Sequence, residues 1–312
     1  MSEVWGDAAP PAVTTAEVVG RPRTWTPFVT VALGFLLGMI AVLAIAVTAG
    51  VALTVAGRSP GEIERFLASD AIGIILLLAP VQAGIFVAAV AHAWFSAQRE
   101  ASGAPPIVET LGLRWPARLG VGGWTAILIG SGVPFALALG AAALLPSVAP
   151  PTEIMEMWGE VPAWKAVLWI AAIGLLPGTC EELIFRGLLQ RRLLRRWSPP
   201  VAIGVTSVLF ALVHVDPPAM GLALVLGVWI GVVAWRTNSV FPGMVIHAGV
   251  NSTWNAIQII GIQNNIDDMD AMRFAAVVVL VSLVAFPFAI VTLIRAPHPG
   301  PGREGRGVGD AA

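Results

Sequence analysis

Long apolar stretches dominate this chain and constrain its fold more than any other feature. A helix needs about 17 to 25 apolar residues to cross roughly 30 Å of hydrocarbon. The stretches of about 17 residues or more run over residues 27–56, 71–96, 121–145, 163–190, 199–215, 219–235, 240–260 and 273–294. The sequence therefore predicts an all-α membrane protein, a multi-pass bundle of about eight transmembrane helices.

The composition supports a membrane protein and excludes several other classes. Only 12% of the 312 residues are charged, whereas a soluble domain carries roughly 25%. The net charge of −1 gives no electrostatic reason to expect a nucleic-acid partner. A single cysteine, Cys180, excludes a disulfide framework. We expect no bound cofactor.

The distribution of positive charge predicts that both termini face the cytoplasm. With the N-terminus inside, 13 of the 18 Lys and Arg residues fall in inside segments and four in outside segments. Cytoplasmic loops carry such an excess of positive charge. We expect a flexible N-terminus over 1–24, a transmembrane domain over 25–295 and a disordered tail over 296–312, in a bacterial cell membrane.

Ionisable side chains inside the predicted spans mark the candidate functional region. Each costs about 2.5–3.5 kcal/mol to insert at membrane depth, so such residues are usually functional. Here they concentrate in the second half of the chain, together with the side-chain amide of Asn251. The residues are Glu181, Glu182, Arg186, His214, His247 and Asn251.

The spacing of these residues predicts which of them lie together. Glu182 and Arg186 are four residues apart, so they share a helix face and can form an ion pair. His247 and Asn251 share a face for the same reason.

Glu181 lies about 16 residues before the turn at Trp197 and Ser198, and His214 about 16 after it. Residues equidistant from the turn of an antiparallel hairpin stand at the same height. We therefore expect the carboxylate and the imidazole to face each other. The sequence leaves open whether His247 lies at the same depth.

Backbone breaks are predicted next to these side chains. Pro177-Gly178 interrupts the fourth span, and Thr179 to Glu182 has the pattern of a capping box, which predicts a helix start there. Pro217-Pro218 is predicted to stop the fifth helix just after His214. Broken helices at membrane depth are tolerated where they line a polar cavity, so we expect a water-accessible pocket.

The residue types suit the attack of water on a carbonyl group. A glutamate beside an imidazole can hold and deprotonate water. An imidazole or an amide from another helix can donate a hydrogen bond to the developing oxyanion. No serine or cysteine has a base at a recognisable spacing, which argues against a covalent nucleophile.

Three motifs occur in order on consecutive predicted helices. Together they resemble the family of CAAX proteases and bacteriocin-processing enzymes, the CPBP or Abi group, across residues 160–260. The motifs are EExxxR (Glu181, Glu182, Arg186), FxxxH (Phe210, His214) and HxxxN (His247, Asn251).

The resemblance implies a metal-independent intramembrane endopeptidase that uses a glutamate. By position in the motifs, Glu181 would be the base and His214 its partner on the catalytic water, while His247 and Asn251 would form the oxyanion site. The expected partners are membrane lipids and a peptide or protein substrate that enters from the membrane or the cytoplasm. The supporting residues would be Glu182, Arg186 and Phe210.

The residues also allow other interpretations. Glu182 and Arg186 can be a purely structural pair, Phe210 and Asn251 can serve packing alone, and His92 fits a structural or interfacial role. The two histidines and a glutamate can instead hold zinc in an intramembrane metalloprotease. The buried charges can also belong to a transporter or scaffold without enzymatic activity, although no internal symmetry is visible.

Overall fold

The structure, a computed structural model, describes residues 25–99, 106–116, 119–146 and 158–296. Every helix and turn named below lies in these ranges, and no strand occurs within them. The predicted N-terminal segment 1–24 lies outside the described residues, as does the predicted tail 296–312 except for its first residue.

The described chain is a succession of helices. The first six are α1 (Thr26–Val55), α2 (Pro60–Ser69), α3 (Ala71–Arg99), α4 (Ile107–Thr110), α5 (Gly120–Gly130) and α6 (Gly132–Ala143). The second half contains α7 (Ala163–Glu182), a π-helix (Leu183–Gln190), α8 (Arg191–Leu194), α9 (Pro199–Leu212), α10 (Pro217–Thr237), α11 (Phe241–Gln263) and α12 (Asp268–Arg295).

The predicted apolar stretches all form helices in the described part of the chain. Six helical segments there are long and apolar enough to cross a membrane. With 14 residues, α9 is about 21 Å long and is shorter than the hydrocarbon layer. The 23 residues of α11 include several polar side chains. The helical membrane bundle is confirmed, and the number of eight spans stays a prediction.

The segment formed by α7, the π-helix and α8 runs through the centre of the bundle. The α3 helix packs on one side of α7, and α11 packs on another. The π-helix contacts α9 and α10. All eight of its residues are buried. The motif-bearing residues therefore lie where the helices converge.

The predicted break at Pro177-Gly178 is wrong, and so is the predicted helix start at Thr179. The α7 helix continues from Ala163 through Pro177 to Glu182. A proline inside a helix removes the hydrogen bond to the carbonyl four residues earlier, which is that of Ile173. Asn251 donates its side-chain N–H to this carbonyl oxygen at 3.1 Å. This replacement bond helps the helix to continue.

The turn between α9 and α10 holds His214. The α9 helix ends at Leu212, and the two prolines, Pro217 and Pro218, form the first turn of α10. Val215, directly after His214, has a φ of 62°. This left-handed conformation is strained for a β-branched residue, so the backbone is under local strain beside a candidate site residue.

The α1 and α3 helices approach each other closely through glycines. A methyl group on Gly84 would lie 2.5 Å from the backbone nitrogen of Gly38. A methyl group on Gly38 would lie 2.6 Å from Cα of Val81. The glycines permit backbone contact between the two helices, as small residues do in other membrane bundles.

We predict that Gly38→Ala destabilises the bundle while Gly50→Ala, on the same helix, does not. Alanine favours a helix over glycine by about 1 kcal/mol, but the added methyl group at Gly38 meets backbone atoms and overpacking typically costs about 1–3 kcal/mol. At Gly50 nothing lies within 4 Å. The melting temperatures of the two variants in detergent test the prediction, and equal values would contradict it.

Candidate active site

Two consecutive glutamates end α7 and point toward different helices. Glu181 is 8% exposed and Glu182 is fully buried. Consecutive residues of a helix are rotated by about 100°. Glu181 accepts a hydrogen bond from α3, whereas Glu182 accepts one from α11. The two carboxylates therefore have different surroundings although they are adjacent in sequence.

Glu182 forms the predicted ion pair with Arg186. Nη1 of Arg186 donates to Oε1 of Glu182 at 2.8 Å, and both side chains are buried. His247 adds a contact that the sequence did not predict, since its Nδ1 lies 2.9 Å from the same carboxylate oxygen. A carboxylate paired with arginine accepts hydrogen bonds, so the Nδ1–H of His247 is the donor. The depth of His247, left open by the sequence, is that of Glu182.

The guanidinium of Arg186 is held on three sides. Besides Glu182, it donates from Nη2 to the carbonyl of Gly227 at 3.2 Å. It also lies 4.3 Å from the centre of the Phe210 ring, a cation–π contact. A methyl group on Gly227 would lie 3.3 Å from Nη2, which explains glycine at this close approach. Arg186 thus joins α10 to the π-helix.

Phe210 lies between the two candidate imidazoles. Its ring centre is 5.0 Å from that of His214 and 5.6 Å from that of His247, with edge-on geometry in both pairs. The sequence predicted packing of Phe210 beside His214, and the structure adds His247 and Arg186. One aromatic ring therefore spaces the two histidines and covers the buried cation.

A backbone carbonyl determines the tautomer of His214. Nδ1 of His214 lies 2.9 Å from the carbonyl oxygen of Phe210. A carbonyl oxygen can only accept, so Nδ1 carries the proton. In the neutral ring, Nε2 is then the unprotonated nitrogen and can accept a proton.

Glu181 is held by a glutamine that the sequence did not predict to lie in the site. Nε2 of Gln82 donates to Oε1 of Glu181 at 2.8 Å, and Gln82 is only 3% exposed. The second oxygen of Glu181, Oε2, is buried and has no hydrogen-bond partner in the described part of the chain. No described hydrogen bond joins Glu181 to His214. Gln82 is an uncharged polar residue in an apolar span, so the pattern of ionisable residues did not indicate it.

Asn251 and His247 were predicted to share a face of α11, and both side chains contact α7. One of its two amide hydrogens is used by the carbonyl of Ile173, and the other remains available. The adjacent residue Ser252 extends this contact, because its hydroxyl donates to the carbonyl of Ile170 at 3.0 Å. Asn251 therefore has a structural contact and a spare donor.

The same region contains no obvious cluster of metal ligands. Within the described ranges, no group of three or more His, Cys, Asp or Glu side chains has the arrangement to hold a metal ion. His247 directs Nδ1 at Glu182, and His214 directs Nδ1 at a backbone carbonyl.

An open cleft elsewhere on the molecule is separate from this site. It is lined by Asp70 and Lys165, whose charged groups are 2.5 Å apart. Lys165 precedes Glu181 by 16 residues on one continuous helix, a separation of roughly 24 Å. None of the predicted site residues lines this cleft.

Comparison with known families identifies the segment that carries the site. A family model described as type II CAAX prenyl endopeptidase Rce1-like matches residues 163–253. This segment is CAAX-protease-like. The match begins at the start of α7 and ends two residues after Asn251, so it contains all seven residues of the three motifs.

The predicted family resemblance is thereby confirmed. At the level of the family, residues 163–253 are CAAX-protease-like, and they lie within a multi-pass helical membrane fold. Searches of curated proteins and of solved structures found no match.

We predict that Glu182→Ala strongly destabilises this CAAX-protease-like bundle as well as lowering its activity. The substitution leaves the fully buried Arg186 without its carboxylate, and breaking a buried ion pair costs about 3–5 kcal/mol. The matched control is Asp270→Ala, which removes the acid of the exposed pair Asp270–Arg273 and should cost about 1 kcal/mol or less.

Thermal unfolding in detergent measures both variants. Replacing the whole pair, with Glu182→Leu and Arg186→Met together, should recover part of the lost stability because neither buried charge of the pair remains unpaired. Equal melting temperatures for Glu182→Ala and wild type would contradict a structural role of the pair.

Proposed function

We propose that this chain hydrolyses a peptide bond inside the membrane with a water molecule activated by Glu181 and His214, without a metal ion. The observation that carries the proposal is the pairing state of Glu181. One of its carboxylate oxygens is bound by Gln82, while the other is buried and has no described partner. A buried carboxylate oxygen that lacks a donor is a site for a water proton.

The tautomer of His214 fits the same role. Its neutral ring offers Nε2 as an acceptor, because Nδ1 donates to the carbonyl of Phe210. A water that donates one hydrogen to Glu181 and one to Nε2 of His214 keeps a lone pair on oxygen for attack on the substrate carbonyl carbon. Positioned acid–base groups of this kind contribute about 10²- to 10⁴-fold in rate.

The reaction then needs two proton movements. Water adds to the carbonyl carbon as Glu181 takes its proton, which gives a tetrahedral intermediate with a negative oxygen. Protonated Glu181 passes the proton to the amide nitrogen, the C–N bond breaks, and a carboxylic acid and an amine leave. The glutamate returns to its starting state.

We assign the oxyanion site to His247 and Asn251. Asn251 has one amide hydrogen left after its bond to Ile173. His247 donates from Nδ1 to Glu182, so it can donate to the oxyanion only from Nε2 of a doubly protonated ring. This role therefore places a charged imidazole between the Glu182 carboxylate and the developing negative charge. Such preorganised donors are strong in a low-dielectric site.

The remaining motif residues support this arrangement. Glu182 orients His247, Arg186 neutralises Glu182, and Phe210 separates the imidazoles. The substrate is proposed to be a peptide or protein that enters from the membrane or the cytoplasm. Residues 25–295 form the proposed transmembrane domain, with both termini in the cytoplasm of a bacterial cell.

We predict that Glu181→Gln and His214→Ala each lower the cleavage rate at least about 10²-fold while the protein still inserts and folds. Purified variants in detergent or liposomes are incubated with farnesylated and unmodified peptides, and new peptide termini are measured by mass spectrometry. His92→Asn is the control, because His92 contacts Thr30 away from the motifs. Cleavage by Glu181→Gln at the wild-type rate would overturn the proposal.

We also predict that strong chelators leave the cleavage rate unchanged. In the proposed mechanism, protein groups alone activate the water, so removal of trace metal has no effect on any step. The measurement compares initial rates before and after prolonged incubation with EDTA or phenanthroline. Loss of activity that added Zn²⁺ restores would instead support a metalloprotease.

A further inference from the structure

We infer that Gln82, on α3, is a positioning residue for the reaction: it fixes the Glu181 carboxylate so that Oε2 faces the water. This inference rests on the proposed function. It assigns a role to a helix that lies outside the matched segment 163–253, so the site is incomplete without the first half of the chain.

The contact between Gln82 and Glu181 has the properties of a strong hydrogen bond. The distance from Nε2 to Oε1 is 2.8 Å, and the residues are 3% and 8% exposed. Hydrogen bonds to an ionised acceptor are roughly twice as strong as neutral ones, and a low dielectric strengthens them further.

The side chain of Gln82 makes no other hydrogen bond in the described ranges. Its amide oxygen Oε1 is buried without a partner, and an unpaired buried polar group costs about 1–3 kcal/mol. An apolar residue would avoid this cost in an otherwise apolar helix. The bond to Glu181 is therefore the one described interaction that accounts for a glutamine at this position.

A second buried glutamine shows the contrast. Nε2 of Gln190 donates to the backbone carbonyl of Gly231 at 2.9 Å, and the residue is 1% exposed. Gln190 thus joins the π-helix to α10 through the main chain, as many packing glutamines do. Gln82 instead donates its hydrogen bond to the carboxylate of Glu181, which is proposed as the base.

Fixing one oxygen of Glu181 determines where the other points. The last torsion of a glutamate side chain is broad, with no staggered preference, so packing alone orients a carboxylate poorly. A donor on Oε1 sets the plane of the group and leaves Oε2 as the free acceptor. When Oε2 takes the proton from water, the bond from Gln82 to Oε1 can persist through the reaction.

The α3 helix provides a rigid base for this donor. Ile85 and Ala89 on α3 are completely buried. A methyl group on Gly34 of α1 would lie 3.2 Å from Cα of Ile85 and 3.4 Å from the side chain of Ile184 in the π-helix. Three elements therefore meet one turn from Gln82. Sites supported by packed helices hold their geometry better than sites on loops.

The test is Gln82→Met, which keeps the length of the side chain and removes the donor, with Gln190→Met as the matched control. We expect Gln82→Met to lower kcat about 10- to 100-fold, as misplacement of a reacting group does, with KM changed by less than about threefold. Gln190→Met loses a comparable buried hydrogen bond and should keep kcat within about threefold of wild type. Rates are compared per folded molecule in the monodisperse fraction.

Double variants separate positioning from general packing. In a Glu181→Gln background, Gln82→Met should cause no further loss of the residual rate, since the group that it positions is already disabled. A double-mutant cycle on thermal stability should show coupling between positions 82 and 181 and none between 190 and 181. Gln82→Leu provides the same comparison if Gln82→Met does not accumulate.

The outcomes distinguish this inference from the function on which it rests. An inactive Glu181→Gln together with a fully active Gln82→Met would overturn the inference and leave the proposed function standing. A loss confined to KM, or an equal loss of kcat in Gln190→Met, would also overturn it. Wild-type cleavage by Glu181→Gln would overturn both.

Discussion

The ion pair between Glu182 and Arg186 is the constraint on which the rest of the site depends. Both side chains are completely buried inside the bundle. Either charge alone would be costly there, so the fold must keep the partners together. The same two groups bind His247, Gly227 and the ring of Phe210. The pair thereby fixes α7, α9, α10 and α11 around one point.

In the proposed mechanism the adjacent glutamates have two different tasks. Glu182 binds the guanidinium of Arg186 and the imidazole of His247 through the same oxygen, Oε1, which makes this carboxylate an anchor between helices. Its second oxygen, Oε2, is buried and has no partner in the described part of the chain. Glu181 is rotated away from these groups, receives a single neutral donor and keeps one oxygen without a described partner. The π-helix that follows is wider than an α-helix and often occurs at functional sites. Its buried side chains reach several helices at once.

The site also uses two backbone carbonyl groups that would accept hydrogen bonds within their own helices if those helices were regular. Pro177 leaves the carbonyl of Ile173 without its helical donor, and Asn251 supplies one. The end of α9 leaves the carbonyl of Phe210 near the imidazole of His214, where it selects the tautomer. Val215 adopts a strained conformation at the same turn. Local irregularity in the helices thus orients two of the proposed catalytic side chains.

The sequence by itself determined the helical membrane class, the resemblance of the motif-bearing segment to the CAAX proteases, and the pair between Glu182 and Arg186, because apolar length, motif order and i,i+4 spacing are local properties of the chain. Only the tertiary structure decided that Gln82 binds Glu181, that His247 binds Glu182, and that α7 continues through Pro177. These contacts join residues 99, 65 and 78 positions apart. Such partners depend on how helices are rotated and packed against one another, which no local pattern records.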